Sequence, residues 1–328
     1  DTSLKHFDLG PQKKNVLPVL KEILRINPHI KILGSPWSPP AWMKTNQNTK
    51  GGSLLPQYYP AYARYFVKYI LAMQQLGITI DAITVQNEPL HPGNNPSLLM
   101  PAAEEGEFVK HHLGPAFRRA GIKTRIIIYD HNADRPDYPL SILDDAEARP
   151  FVDGSAFHLY GGKIEALTPV HDSFPEKNLY FTEQWVGEPG NLKKDIREHI
   201  HLLIIGAIRN WCKNVIEWNL AANSQWRPHT VGGCDECLGA VTIDGNEVKR
   251  NQAYYIVAHA AKYVRPGSVR IASNSDEVLP NVAFLTPDRR IVLIVLNNSN
   301  TDQAFTIDYK GKQMRPSLHA GAMATYVW

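Results

Sequence analysis

Six short apolar runs recur along the first two thirds of the chain, and each turns polar or aromatic at its end. They are IKILGSPW from Ile30, DAITVQNE from Asp81, TRIIIYDHN from Thr124, GSAFHLY from Gly154, NLYFTEQW from Asn178 and NVIEWNL from Asn214. Helical patterns or loops separate them. The clearest starts near Gln57 and carries Tyr58, Tyr62, Tyr65, Phe66, Tyr69, Ile70 and Met73 at helical spacing, which predicts a packed helix face. Others cover about Glu104 to Ala120, Leu140 to Ala148 and Ile196 to Asn210. Strands that are apolar throughout and alternate with helices predict a parallel sheet covered by helices. Asn87 and Glu88, Asp130 and His131, His158 and Tyr160, Glu183 and Trp185, and Trp218 and Asn219 all fall at strand ends. In an α/β barrel that face carries the active site.

After about residue 264 the pattern changes. GSVRIAS, NVAFLTPDRRIVLIVLNNS, AFTIDY and AMATYVW are short apolar or alternating strands between Pro, Asn and Gly turns. The expected organisation is a barrel domain over residues 1–264 and an all-β domain over 265–328. A chain of 328 residues, 43% hydrophobic, can bury cores of that size. The net charge of +3, without any Lys/Arg run, argues against nucleic acid as a partner. No run approaches the ~18 apolar residues of a membrane span.

Three cysteines make no disulfide framework. Cys234 and Cys237 have C-x-x-C spacing, but zinc would need a second pair and a redox site a different context, so a local disulfide or two free thiols are the expected states. Asp130, His131 and Asp134 are metal-ligand types, yet no metal site is expected of them. The one N-x-S sequon, at Asn297, is too common a pattern to place the protein outside a cell. The first residue is Asp, so a processed chain or a piece of a longer one is expected.

Glu88 and Glu183 end strands that are three apart, which on an eight-stranded barrel would set them across the mouth. Carboxyl groups about 5–5.5 Å apart suit a retaining glycosidase, and about 6.5–9.5 Å an inverting one. TVQNEP and YFTEQW around these two residues resemble the acid/base and nucleophile motifs of glycoside hydrolase family 30, the glucosylceramidase-like retaining β-glycosidases. GSPWSPPAWMKTN, GGSLLPQYYPAYARYFVKYI, AFHLYGG, IEWNLA and TYVW extend that resemblance over nearly the whole chain. Among family members, the bacterial β-glucosidase and β-1,6-glucanase types are the most similar.

The resemblance implies a (β/α)8 barrel with a β-sandwich side domain, catalysis by double displacement, no cofactor and no metal. It assigns Glu88 as acid/base and Glu183 as nucleophile. Asn87 matches the residue that binds the sugar 2-hydroxyl, and Trp37, His158, Tyr160 and Trp218 match residues lining the sugar pocket. Two indoles would cover pyranose faces, and Tyr160 is expected to orient Glu183. Glu88 must hold a proton for the leaving oxygen, so its pKa is expected to lie above that of Glu183, through burial and a neighbouring negative charge. By the family pattern the chain begins after the second barrel strand, so its six strands would be numbers three to eight, with an amino-terminal segment completing the barrel.

The leading expectation is a β-glucosidase or glucosylceramidase-like enzyme acting on a carbohydrate substrate. An endo-β-1,6-glucanase or a β-xylosidase is the alternative, and a catalytically inactive sugar-binding fragment belongs to a different class. The resemblance favours a secreted or periplasmic bacterial protein.

Overall fold

The computed structural model describes residues 1–328. All six apolar runs are strands: β1 (Leu33–Gly34), β2 (Ala82–Thr84), β3 (Arg125–Ala133), β4 (Val152–Gly162), β5 (Asn178–Glu183) and β6 (Cys212–Val215). They belong to one six-stranded sheet in chain order, without the reversal of a doubly wound sheet. The β1–β2 and β2–β3 pairs are parallel, as strands joined by helical crossovers must be. Six parallel strands in sequential order fit part of a TIM barrel. By its contacts the chain divides into two compact units, Asp1–Gly161 with Pro169–Leu179, and Gly162–Thr168 with Tyr180–Trp328.

In the first unit the helix Tyr59–Gln75 turns Tyr59, Tyr62, Phe66, Ile70 and Met73 inward. Its rings meet Phe108 of the next helix, stacked on Tyr62 at 5.5 Å and edge-on to Tyr59 at 5.6 Å. That next helix runs Ala102–Phe108, passes through a π-helical stretch at Val109–Leu113 and resumes as Gly114–Ala120. It ends at Gly121, whose φ of +66° is the left-handed cap that a side chain would resist. Ile126, Ile127, Ile128 and Tyr129 of β3 are buried without alternation, as a strand covered on both faces requires. At Gly154 the carbonyl oxygen of Asn178 lies 1.9 Å from where a Cβ would stand, so only glycine allows β4 that backbone approach.

In the second unit the helix Leu192–His199 continues into a π-helical segment, Ile200–Ala207. Two smaller strands follow in β7 (Ala221–Ala222) and β8 (Val241–Asp244), then β9 (Glu247–Arg250) and the helix Gln252–Tyr263. A four-stranded sheet joins β10 (Val269–Ile271), β11 (Asn281–Leu285), β12 (Ile291–Leu296) and the strand Met323–Val327. Along β12 the period of two divides the side chains. Val292, Ile294 and Leu296 join Ile200, Ile204 and Ile256 in one core, while Leu293 and Val295 join Ile307 and Leu318 in another. Burial on both faces explains why Ile291–Leu296 has no polar residue. Asn297, the sequon residue, is fully buried, and its amide donates to the carbonyls of Thr301, Leu318 and His319.

Three features differ from the sequence reading. The β8–β9 hairpin and the helix after it were not expected, although Asp244-Gly245 is a turn signal directly after the β-branched run Val241–Ile243. Strands β2, β5 and β6 stop at Thr84, Glu183 and Val215, so Asn87 and Glu88, Trp185, and Trp218 and Asn219 lie beyond them. Conversely, Asp130, His131, His158 and Tyr160 lie within β3 and β4. No helix is long and apolar enough to cross a membrane.

Candidate active site

The segment Tyr129–Asp130 carries φ values of +74° and +58°, and Glu88 has +46°. Such left-handed backbone at non-glycine residues costs on the order of 1–3 kcal/mol each and persists only where its surroundings fix it. Here they do. The Tyr129 N–H donates to both carboxyl oxygens of Glu105 at 3.3 Å, and the Tyr129 hydroxyl donates to the Asn132 carbonyl at 2.5 Å. The Glu88 N–H donates to the Asp130 carbonyl at 2.9 Å, tying the end of the Ala82–Glu88 run to β3. Asp130 and His131, both buried, stand at this bend.

A chain of polar contacts results. The Ser35 hydroxyl donates to Asp130 Oδ2 at 2.7 Å, His158 Nε2 lies 3.2 Å from Asp130 Oδ1, and His158 Nδ1 lies 3.3 Å from Glu88 Oε1. On the other oxygen, Asn94 Nδ2 donates to Glu88 Oε2 at 2.8 Å from the loop after Pro89. His158 is 1% exposed and Glu88 8%. If Nε2 carries the proton given to Asp130, Nδ1 either donates to an ionised Glu88 or accepts from a protonated one. A single proton is therefore shared by the two residues.

Burial raises the Glu88 carboxyl, but the His158 hydrogen bond and the charges of His158, His131 and His91 outweigh it and hold it below the ordinary value. The net shift is downward from the ordinary carboxyl value, although burial alone acts upward as expected. The sequence reading counted burial and a neighbouring carboxylate but not the histidines. Burial pushes His131 down to about 4, which leaves its imidazole neutral over most of the pH range. His131 Nδ1 has no hydrogen-bond partner and lies 3.8 Å from Glu88 Oε1. Ligand atoms of Glu88, His131 and His158 all lie within 4.8 Å of one another, so the residues able to hold a cation group around Glu88 rather than around Asp134.

Asn87 and Trp37 are set by Gln86, a residue the sequence reading passed over. Its Nε2 donates to the carbonyls of Trp37 and Asn87, both at 2.8 Å, and the Asn87 N–H donates to the Pro36 carbonyl at 2.9 Å. Lys44, fully buried, ties down the flanking loops by donating to Ser38 Oγ, the Thr49 carbonyl and the Ser97 carbonyl at 2.9, 2.9 and 2.6 Å. Burial brings its pKa down to about 8. Tyr160 is 39% exposed, its ring edge-on to His158 at 5.9 Å.

In the second unit Glu183 closes β5, half-buried. Beyond it Trp185 bridges Trp218, and the Trp218 N–H donates to the Gln184 carbonyl at 2.7 Å. Glu217 faces away to His199, whose Nδ1 lies 3.0 Å from both of its oxygens. Burial lowers the His199 pKa, but the Glu217 hydrogen bond and charge raise it further, so the net shift is upward. Nearby, Cys234 and Cys237 form a disulfide, one of the two states expected, and Cys212 is a buried free thiol.

Comparison with known proteins agrees in both parts of the chain. Residues 1–264 match the glycosyl hydrolase family 30 TIM-barrel domain, and residues 267–326 match the family 30 beta sandwich domain. An endo-1,6-beta-D-glucanase (neg1) of Aspergillus fumigatus is 33% identical over 353 residues, covering all of this chain and 71% of its own length. The solved structure of the endo-beta1,6-glucanase BT3312 superposes with a TM-score of 0.93 at 38% identity, over 98% of this chain and 76% of that one. The lysosomal acid glucosylceramidase of Mus musculus is 28% identical over 361 residues, covering 100% of this chain and 68% of its own. With its strand-end carboxylates held on a TIM-barrel domain that is followed by the family's β-sandwich, this chain belongs to glycoside hydrolase family 30.

Proposed function

We propose that the chain carries the catalytic apparatus of an endo-β-1,6-glucanase that hydrolyses β-1,6-glucan with retention of configuration. One observation carries the substrate: relatives named endo-1,6-glucanases reach 33% and 38% identity, against 28% for a glucosylceramidase. This replaces the β-glucosidase reading as the leading one.

In the first step the Glu183 carboxylate attacks the anomeric carbon as the bond to the leaving oxygen breaks. Glu88 delivers its proton to that oxygen. In the second, Glu88 takes a proton from water, whose oxygen attacks the same carbon and releases Glu183. His158 lies against Glu88 and can hold the proton between steps, with Asp130 balancing its charge. Asn87 binds the 2-hydroxyl, a contact that strengthens in an oxocarbenium-like transition state. Trp37 and Trp218 cover sugar faces.

The test is hydrolysis of linear β-1,6-glucan beside β-1,3-glucan and an aryl β-glucoside, with the first-formed anomer followed by proton NMR. Oligosaccharides released from the β-1,6-glucan as β-anomers support the reading. α-Anomers first would overturn retention, and preference for the aryl glucoside with glucose as sole product would restore the β-glucosidase. Glu183→Gln is expected to abolish measurable turnover on every substrate while the protein stays folded; near-normal rates would remove Glu183 from the mechanism.

A further inference from the structure

We propose that Glu88, His131 and His158 form a binding site for a divalent transition-metal ion of the zinc type, and that an ion held there switches the enzyme off. The inhibitory half rests on the assignment of Glu88 as acid/base; the binding half does not.

The geometry supplies what such an ion needs. One carboxylate oxygen and two imidazole nitrogens converge within 4.8 Å, and all three residues are buried. A tetrahedral ion bound at about 2.0–2.1 Å holds its ligand atoms about 3.3 Å apart. His158 Nδ1 lies 3.3 Å from Glu88 Oε1 and His131 Nδ1 lies 3.8 Å from it, so small side-chain movements close the set. His131 is 7% exposed, and its Nδ1, 3.8 Å from the same oxygen, has no hydrogen-bond partner. Leaving such an atom unpaired is costly, and a bound ion would satisfy it.

The surroundings are those of a ligating histidine. His158 Nε2 meets Asp130 Oδ1 at 3.2 Å, and Ser35 in turn donates to Asp130 Oδ2. A carboxylate behind the far nitrogen fixes the tautomer that presents Nδ1 as a lone pair and makes it more basic. Asn94 holds the other Glu88 oxygen, leaving Oε1 for the ion. Two imidazoles and one carboxylate suit zinc and copper more than magnesium or calcium, which take oxygen ligands. An ion on Oε1 occupies the position from which Glu88 would protonate the leaving oxygen, so binding and turnover exclude one another.

The experiment titrates Zn2+ into the purified chain by calorimetry and measures hydrolysis over the same concentrations. One ion per chain is expected, with an inhibition constant equal to the dissociation constant. His131→Gln should weaken both by about tenfold or more, each scaled to that variant's own uninhibited rate. Glu88→Gln, which keeps the side-chain shape, should weaken binding as much, read by calorimetry alone. The exposed His319→Gln should change neither. Unchanged zinc affinity in both His131→Gln and Glu88→Gln, or equal weakening in His319→Gln, would overturn the site. Tight binding that spares turnover would keep the site but overturn the inhibition, and with it the role given to Glu88.

Discussion

Glu88 and Glu105 flank the same backbone bend and have opposite protonation chemistry. Glu105 accepts the Tyr129 N–H on one side, and Glu88 gives its own N–H to the Asp130 carbonyl on the other. Both are buried, at 0% and 8% exposure. Burial pushes Glu105 up to about 8, and hydrogen bonds from Tyr138 and the Tyr129 N–H only moderate the rise. Burial acts on Glu88 in the same direction, yet the facing histidines hold it below the ordinary value. An imidazole within hydrogen-bonding distance decides where the proton of a buried carboxyl rests. On the Glu88 side of the bend an imidazole stands within reach of the carboxyl proton, and on the Glu105 side burial holds the proton in place.

The strongest way to break this contrast is to remove the exchanging carboxyl. Glu88→Ala should slow substrates with poor leaving groups by roughly 10²–10⁴-fold, the usual worth of a general acid. Activated aryl glycosides, whose leaving group needs no proton, should suffer far less in the first step, and external azide should restore part of the rate. Equal losses on both substrates, compared as kcat/KM, would show that Glu88 does not deliver the proton.

A smaller effect should follow from Asp130→Asn. The Asp130 charge favours a proton on the Glu88–His158 pair, so the pair as a whole loses that proton at higher pH than it otherwise would. Without the charge the proton is held less tightly, and the alkaline limb of the pH–rate profile should move down by about 1 unit. A slower enzyme with an unmoved limb would reduce Asp130 to a structural brace.

The strands that hold these groups were legible because burial on both faces leaves a continuous apolar run such as Ile126–Ile128. Glu88 and Glu183 stand out in the sequence because family motifs surround them. The relay was not legible. Nothing in TRIIIYDHN announces two successive left-handed residues, since that conformation is imposed by Glu105, Ser35 and the backbone of Glu88 from elsewhere in the chain. Gln86 and Lys44 were missed for a related reason. A polar residue in an apolar context is readable, but the carbonyls that satisfy it, such as Trp37 and Ser97, become its neighbours only after folding. The downward pull of the histidines on Glu88 was hidden on the same ground, because His158 is 70 residues away in sequence.

The smallest effect on turnover, and the sharpest control for the comparison, is expected from Glu105→Gln. The amide keeps an acceptor oxygen for the Tyr129 N–H but cannot ionise. In the wild type the folded-state pKa of about 8 lies above the ordinary 4.5, so Glu105 favours folding while protonated. That contribution is complete below about pH 4.5 and is lost as the pH rises toward 8, at up to about 1.4 kcal/mol per pH unit. The variant should lack this component, so its melting temperature should fall less than that of the wild type between pH 5 and about pH 8, while its pH–rate profile stays in place. Parallel melting curves would mean that Glu105 is already ionised in the fold, and that burial without a histidine does not suffice to keep the proton.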